Sequence, residues 1–272
     1  MFELTRDWLF RYYGSSRPGE EFHTAKWLRQ HGKDVKPGQP EEWKQWKHLV
    51  EYQPNCVDIV PKVLARIGTQ FDSELDAHAW INYQRVPMHA DGYIQACNRY
   101  CPKTILELGV GGDSAISTAQ FLRHIENIGE GKMFSIDLNP LGITWNRYKD
   151  VPFWHFRQAN SLDILQEEIE AGNKWDVVFL DTLPYYQHTL KELDLACQIT
   201  DHILLDDITM EALEHDKEGG KKRAVLEWVP KHSEWKRIDY EPPGSHTVVV
   251  GSLIKRSDNV YKRRKILRRE EF

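Results

Sequence analysis

The sequence has no long apolar run. No window of its 272 residues approaches the roughly 18–20 apolar residues that a membrane-crossing helix needs, so no span is predicted. The first residues, Met1-Phe-Glu-Leu-Thr-Arg-Asp-Trp8, mix charges into the apolar positions and lack the apolar stretch of a secretory leader. Cysteine is scarce as well, with four residues at 56, 97, 101 and 197. That is too few, at the wrong spacing, for a dedicated metal cluster. Cys97 and Cys101 share one face of a predicted helix, and the four read as buried free thiols. A reducing, cytoplasmic setting is the expectation. Positive charge is not in excess either. Lys plus Arg number 36 against 41 Asp plus Glu, a net charge of −5, which argues against a broad nucleic-acid surface. Internal repeats are absent, which excludes a solenoid.

What is present is an ordinary globular composition, 40% hydrophobic and 28% charged, long enough to bury a sizeable core. Residues 1–87 carry Trp8, Trp27, Trp43, Trp46 and Trp80 among polar residues, with helical spacing in Glu41–Tyr52 and Asn55–Ile67. They read as a helical N-terminal cap or arm, its tryptophans acting chiefly as packing anchors. Residues 88–253 alternate strands with helices, the signature of a parallel sheet. Strands are predicted at Thr104–Leu108, Lys132–Asp137, Trp154–Gln158, Trp175–Asp181 and His202–Asp207. Two more, Trp235–Tyr240 and His246–Ser252, are joined by a Pro-Pro-Gly turn and so should be antiparallel. Helices are predicted at Ala90–Arg99, Ser114–Ile128, Leu162–Ala171, Tyr185–Ile199 and Lys221–Val229. The fold class is therefore α/β: a doubly wound, Rossmann-like, seven-stranded sheet, mostly parallel with a C-terminal antiparallel hairpin. Residues 254–272 form a basic tail, read as a solvated run or a docking helix.

The chemistry starts at Thr104-Ile-Leu-Glu-Leu-Gly-Val-Gly-Gly-Asp-Ser-Ala-Ile-Ser-Thr118, a strand, a glycine turn and a helix start. Gly109, Gly111 and Gly112 let a ligand approach the backbone at the strand's carboxyl end. A dinucleotide fingerprint wants a third glycine where Ser114 stands. Glu107 would also set a negative charge beside a pyrophosphate and suits a cationic ligand better. One βαβ step later the strand Phe134-Ser-Ile-Asp137 ends in a carboxylate able to accept both hydroxyl protons of a ribose. Ser161 and Asp163 follow the third strand and also suit the cap of the next helix. Asp181 ends one strand, and Asp206 and Asp207 end the next. Three carboxylates on neighbouring strand ends repel one another unless protons or a hard divalent cation intervene.

These segments resemble class I S-adenosylmethionine (SAM)-dependent methyltransferases. The acidic residue and glycine turn match the first motif, and Asp137 matches the ribose-binding acid. Val177-Val-Phe-Leu-Asp181, Leu204-Leu-Asp-Asp-Ile208 and the helix from Tyr185 to Asp194 resemble the divalent-metal-dependent O-methyltransferases. Within these, the similarity is to the catechol and caffeoyl-CoA type and to the enzymes of macrolide sugars. The resemblance spans about Met88 to Ser252. It implies that Glu107, Gly109, Gly111, Gly112, Ser114, Asp137, Ser161 and Asp163 bind SAM. It also implies that Asp181, Asp206 and Asp207 hold Mg²⁺ or another divalent cation. Two positions depart from the pattern. Pro184 stands where the catechol type places a proton-accepting lysine, and Thr200-Asp-His202 replaces a Gly-Gly pair before the second metal strand. Asp181 is therefore the first candidate base and His188 the next. His215 and the loop Asp216–Lys222 form either a lid or a solvated turn.

The resulting expectation is methyl transfer from SAM to a hydroxyl of a small molecule, of sugar or secondary-metabolite type, with Mg²⁺ assistance. A metal-independent methyltransferase of RNA or protein, and a SAM- or metal-binding protein of other function, stay open as alternatives. No nucleic-acid partner is expected except through the basic tail, and self-association stays open.

Overall fold

The computed structural model describes residues 1–13, 59–111, 115–209, 218–241 and 248–256. The N-terminal segment gives β1 (Phe2–Glu3), α1 (Arg6–Tyr13), α2 (Ile59–Leu64), β2 (Gln70–Phe71) and α3 (Glu74–Arg85). Helix α4 (Pro87–Tyr100) leads into β3 (Thr104–Leu108) and α5 (Ile116–Ile128). Then come β4 (Lys132–Asp137), α6 (Ile143–Tyr148), β5 (Trp154–Gln158) and α7 (Ser161–Glu170). The chain continues with β6 (Val177–Leu180), α8 (Tyr186–Ala196), β7 (His202–Leu205) and α9 (Gly220–Lys231). It closes with β8 (Trp235–Tyr240) and β9 (Val250–Lys255). No helix among the described residues is long and apolar enough to cross a membrane. Trp27, Trp43, Trp46, Cys56, His215 and most of the basic tail lie outside the described residues.

The main sheet has seven strands in the order β5-β4-β3-β6-β7-β9-β8. The first five are parallel, and β9 pairs antiparallel with both β7 and β8. This is the sheet anticipated from sequence, with some ends moved. The two aspartate-bearing strands stop at Leu180 and Leu205, so Asp181 and Asp206 begin the loops rather than end the ladders. The last strand runs to Lys255 instead of ending at Ser252, and so takes in the first two residues assigned to the tail. Helix α5 starts at Ile116, two residues later than expected, behind a left-handed Ala115. A two-stranded antiparallel sheet, β1 with β2, was not anticipated.

Side-chain alternation sorts the core onto the two sheet faces. Ile105, Met133, Phe179 and Leu204 point toward α4 and α5, where Tyr93 and Phe121 each hold a ring centroid 5.2 Å from that of Phe179. Leu106, Leu108, Ile136, Val178, Leu180 and Leu205 point toward the helices carrying Leu193, Val225 and Trp228. Strands β6 and β7 are buried throughout, as central parallel strands are. A third cluster joins Leu4, Leu9, Tyr13, Val63, Phe71 and Ile81 in the N-terminal segment. Strand order reverses at β3, with β4 on one side and β6 on the other, so a crevice opens above its carboxyl end.

Candidate active site

The glycine turn lies in that crevice. Gly109 has φ +89°, and a Cβ there would come within 2.1 Å of the backbone oxygen of Asp181. Its N–H donates to Ile136 O at 2.8 Å, and Asp181 N donates to Leu108 O at 2.8 Å. The turn is therefore wedged between the ends of β4 and β6, a fit that only glycine permits. Asp137 fixes it from the side. Its Oδ2 accepts from Val110 N at 3.0 Å and Gly111 N at 3.1 Å, while Oδ1 accepts from Asn139 N at 2.8 Å. Gly112 and Ser114 lie outside the described residues.

Glu107 is not where the sequence reading put it. Residues 105 and 107 of β3 share a face, and that face is covered by α5. The side chain is fully buried and accepts hydrogen bonds from Ser117 Oγ at 2.7 Å, Ser135 Oγ at 2.7 Å and Thr118 Oγ1 at 2.9 Å. It ties the first turn of α5 to β4 instead of facing a ligand. Burial pushes its pKa up to about 7, against the pull of the three hydroxyls. A carboxyl raised above its unfolded value contributes stability that is fully present below that value and is lost as pH rises through about 7. Stability measured by urea denaturation should therefore fall between the unfolded value of 4.5 and about 7 more steeply in the wild type than in Glu107→Gln. Parallel curves would refute the assignment.

Beyond β5, the cap of α7 is Asn160, whose side chain accepts from Leu162 N at 2.9 Å. Ser161 and Asp163 thus sit in the first turn without a capping role, Ser161 buried and Asp163 exposed. His188, in α8, turns to this segment. Its Nε2 lies 3.0 Å from Glu192 Oε1 and 3.4 Å from Ser161 Oγ. Buried Glu192 also accepts from Thr182 Oγ1 at 2.7 and 2.8 Å.

The carboxylates meet at the ends of β6 and β7. Asp206 is buried, and His89 Nδ1, from the first turn of α4, lies 2.8 and 2.9 Å from its two oxygens. Asp207 follows in the left-handed region at φ +51°. One ligand atom each from His89, Asp206 and Asp207 lies within 4.8 Å of the other two. Asp181, expected as the third ligand, is not in that trio. It stands on the neighbouring strand end, where burial and the charge of Asp206 raise its pKa well above the usual carboxylate range. Burial and Asp206 raise Asp207 too. Burial lowers the pKa of His89, but its hydrogen bond to Asp206 and both aspartate charges outweigh that, and the net direction is up. Burial, with the charges of Asp206 and Asp181, also pushes the Tyr93 hydroxyl pKa well up.

One further residue escaped the sequence reading. Lys221, in the first turn of α9, is completely buried and donates from Nζ to Leu180 O at 3.3 Å. Its charge opposes the upward shifts of Asp181 and Asp207. A lysine there opposes the helix dipole, a local misfit that marks such residues for inspection. His89 left no comparable local signal. The donor set fits a divalent cation: two carboxylates and an imidazole, one carboxylate buried, all within reach of one ion. A separate cavity of about 920 Å³ lies at the amino ends of β3, β6 and β7, lined by Cys97 to Lys103 and Cys197 to His202. It contains none of these site residues.

No family model matches the sequence, and no curated protein does. Solved structures do. The O-methyltransferase from Bacillus cereus in complex with SAH aligns over 72% of this chain and 97% of its own, at a TM-score of 0.50 and 16% identity. Cofactor-bound Rv0187 from MTB aligns over 76% of this chain and 100% of its own, at a TM-score of 0.52 and 16% identity. The β5-β4-β3-β6-β7-β9-β8 sheet, with its glycine turn at the reversal point, is thus an architecture on which a methyltransferase has been solved, and the chain has the class I methyltransferase fold.

Proposed function

We propose that the chain transfers the methyl group of SAM to a hydroxyl of a small molecule, with a divalent cation at the end of β7. One observation carries this reading: a glycine turn whose amides are held by Asp137 stands at the same end of the sheet as Asp181, buried Asp206 and Asp207, which follow β6 and β7. SAM would supply an activated methyl on a sulfonium that leaves as a neutral thioether. A cation at Asp206 and Asp207 would offset their repulsion and acidify a nearby hydroxyl.

The chain's own residues supply the placement. Gly109 and Gly111 leave the backbone open to the amino-acid end of the cofactor, and Gly112 and Ser114 are assigned to bind the same ligand. Asp137 holds the turn and keeps lone pairs for the ribose hydroxyls. Ser161 and Asp163 flank the adenine, with His188 and Glu192 fixing the Ser161 side. Asp181 receives the acceptor's hydroxyl proton, and Lys221 balances the charge beneath it. Most of the rate enhancement then comes from positioning and fixed electrostatics.

Calorimetry with SAM, followed by an assay for SAH release over a panel of hydroxylated sugars and phenols, tests this. Binding of SAM with turnover of one panel class is the expected result. Absence of SAM binding would overturn the methyltransferase reading. Turnover that survives EDTA would remove the cation from it.

A further inference from the structure

At the end of β7 a nitrogen joins the oxygens. His89 Nδ1 stands 2.8 and 2.9 Å from the oxygens of Asp206, and Asp207 completes a trio within 4.8 Å. Ligands that share an ion at about 2.1 Å and sit cis to each other are about 3 Å apart. His89 and Asp206 therefore already stand at the separation a common ion would require. The imidazole is carried there by the packing of α4. Gly92, three residues on, meets β9 so closely that a Cβ would come within 2.5 Å of Val250 Cβ, and the next residue, Tyr93, is buried in the core. A simple His–Asp pair would need one carboxylate, whereas here Asp207 brings a second within 4.8 Å of the other two ligand atoms.

Resting on the cation reading given above, we infer that His89 is the third protein ligand beside Asp206 and Asp207. The site accordingly takes a borderline transition ion, of the Mn²⁺, Fe²⁺, Co²⁺ or Zn²⁺ class, in preference to Mg²⁺. Mg²⁺ keeps oxygen ligands and water, while an imidazole nitrogen strengthens binding along the transition series. Mn²⁺ is the weakest binder of that series and so the most demanding probe.

The experiment titrates the full chain with Mn²⁺ and with Mg²⁺ in the absence of SAM, reading heat for both and the paramagnetic resonance signal for Mn²⁺. Mn²⁺ should bind about tenfold or more tightly than Mg²⁺. His89→Gln should lower Mn²⁺ affinity by about tenfold or more, since losing even an outer-shell partner of a ligand costs about that much, and leave Mg²⁺ nearly unchanged. Asp207→Asn should weaken both. Circular dichroism and melting curves establish that each variant is folded, with His89→Asn as the substitute if His89→Gln is not. Equal affinities for the two ions, or Mn²⁺ binding untouched in the folded His89 variant, would overturn the inference. In that case loss of both ions in Asp207→Asn would still leave an oxygen-only cation site. If neither ion binds, the inference and the cation reading fall together, while SAM titration of the same protein reports the cofactor separately.

Discussion

Gly109→Ala is expected to weaken SAM binding by about a hundredfold or more, a loss of about 2.7 kcal/mol. Two effects combine. A side chain at φ +89° is strained, by about 1–3 kcal/mol for such regions. The larger effect is steric, because the new methyl would stand 2.1 Å from a backbone oxygen that cannot swing aside. Relief requires the turn to lift away from Asp181, which breaks the Gly109 and Asp181 ladder bonds and misplaces the amides held by Asp137. Gly68→Ala is the control, since Gly68 has φ +81° with nothing within 4 Å of its added Cβ. It should show the strain in its melting temperature and leave the dissociation constant for SAM unchanged. Calorimetric titration of both variants decides the matter. An unaltered affinity in Gly109→Ala would mean that the ligand does not lie on this turn.

Lys221→Met should destabilise the protein by about 3–5 kcal/mol, the usual result of removing one partner from a buried charge group. Among the described residues, Lys221 is the cation that opposes the repulsion at both Asp181 and Asp207, with His89 acting on Asp207 as well. The deficit should narrow in acid, where the carboxylates are protonated in both proteins. A double-mutant cycle with Asp181→Asn supplies the stringent measurement. The double variant should recover part of the loss, with a coupling of about 0.5–3 kcal/mol in urea denaturation. Strict additivity would show that Lys221 stabilises through its methylene stem and its bond to Leu180 O alone.

Much of the fold was legible because it is written in contiguous stretches. The run Thr104 to Leu108, the glycine turn and the following helix are local signals, and so are the β-rich segments ending near Asp137, Asp181 and Asp206. The seven strands and the antiparallel pair followed from them. The site was less legible, because it depends on what the sheet brings together. His89 and Asp206 are 117 residues apart, and nothing around a single histidine at a helix start announces its partner. Glu107 was misread for a related reason. Its neighbours in sequence are the apolar Leu106 and Leu108 and the turn, which suggests a ligand-facing carboxylate. Its neighbours in space are three hydroxyls on α5 and β4. A strand-parity argument would have placed it with Ile105 on the covered face. His188 was read as a reserve base near Asp181, but the packing of α8 turned it to Glu192 and Ser161.

The position of β9 has a bearing on biosynthesis. This strand, drawn from the C-terminal part of the chain, is inserted between β7 and β8, and its Val250 is the surface against which Gly92 seats α4. While a ribosome is still making residues 250–255, β7 has an open edge, β8 has no sheet to join, and the helix that carries His89 lacks its seat. The glycine turn, by contrast, can form as soon as β3, β4 and β6 have emerged. Pairing of β3, β4 and β6 thus needs nothing from β9, whereas the seat of the helix that carries His89 does.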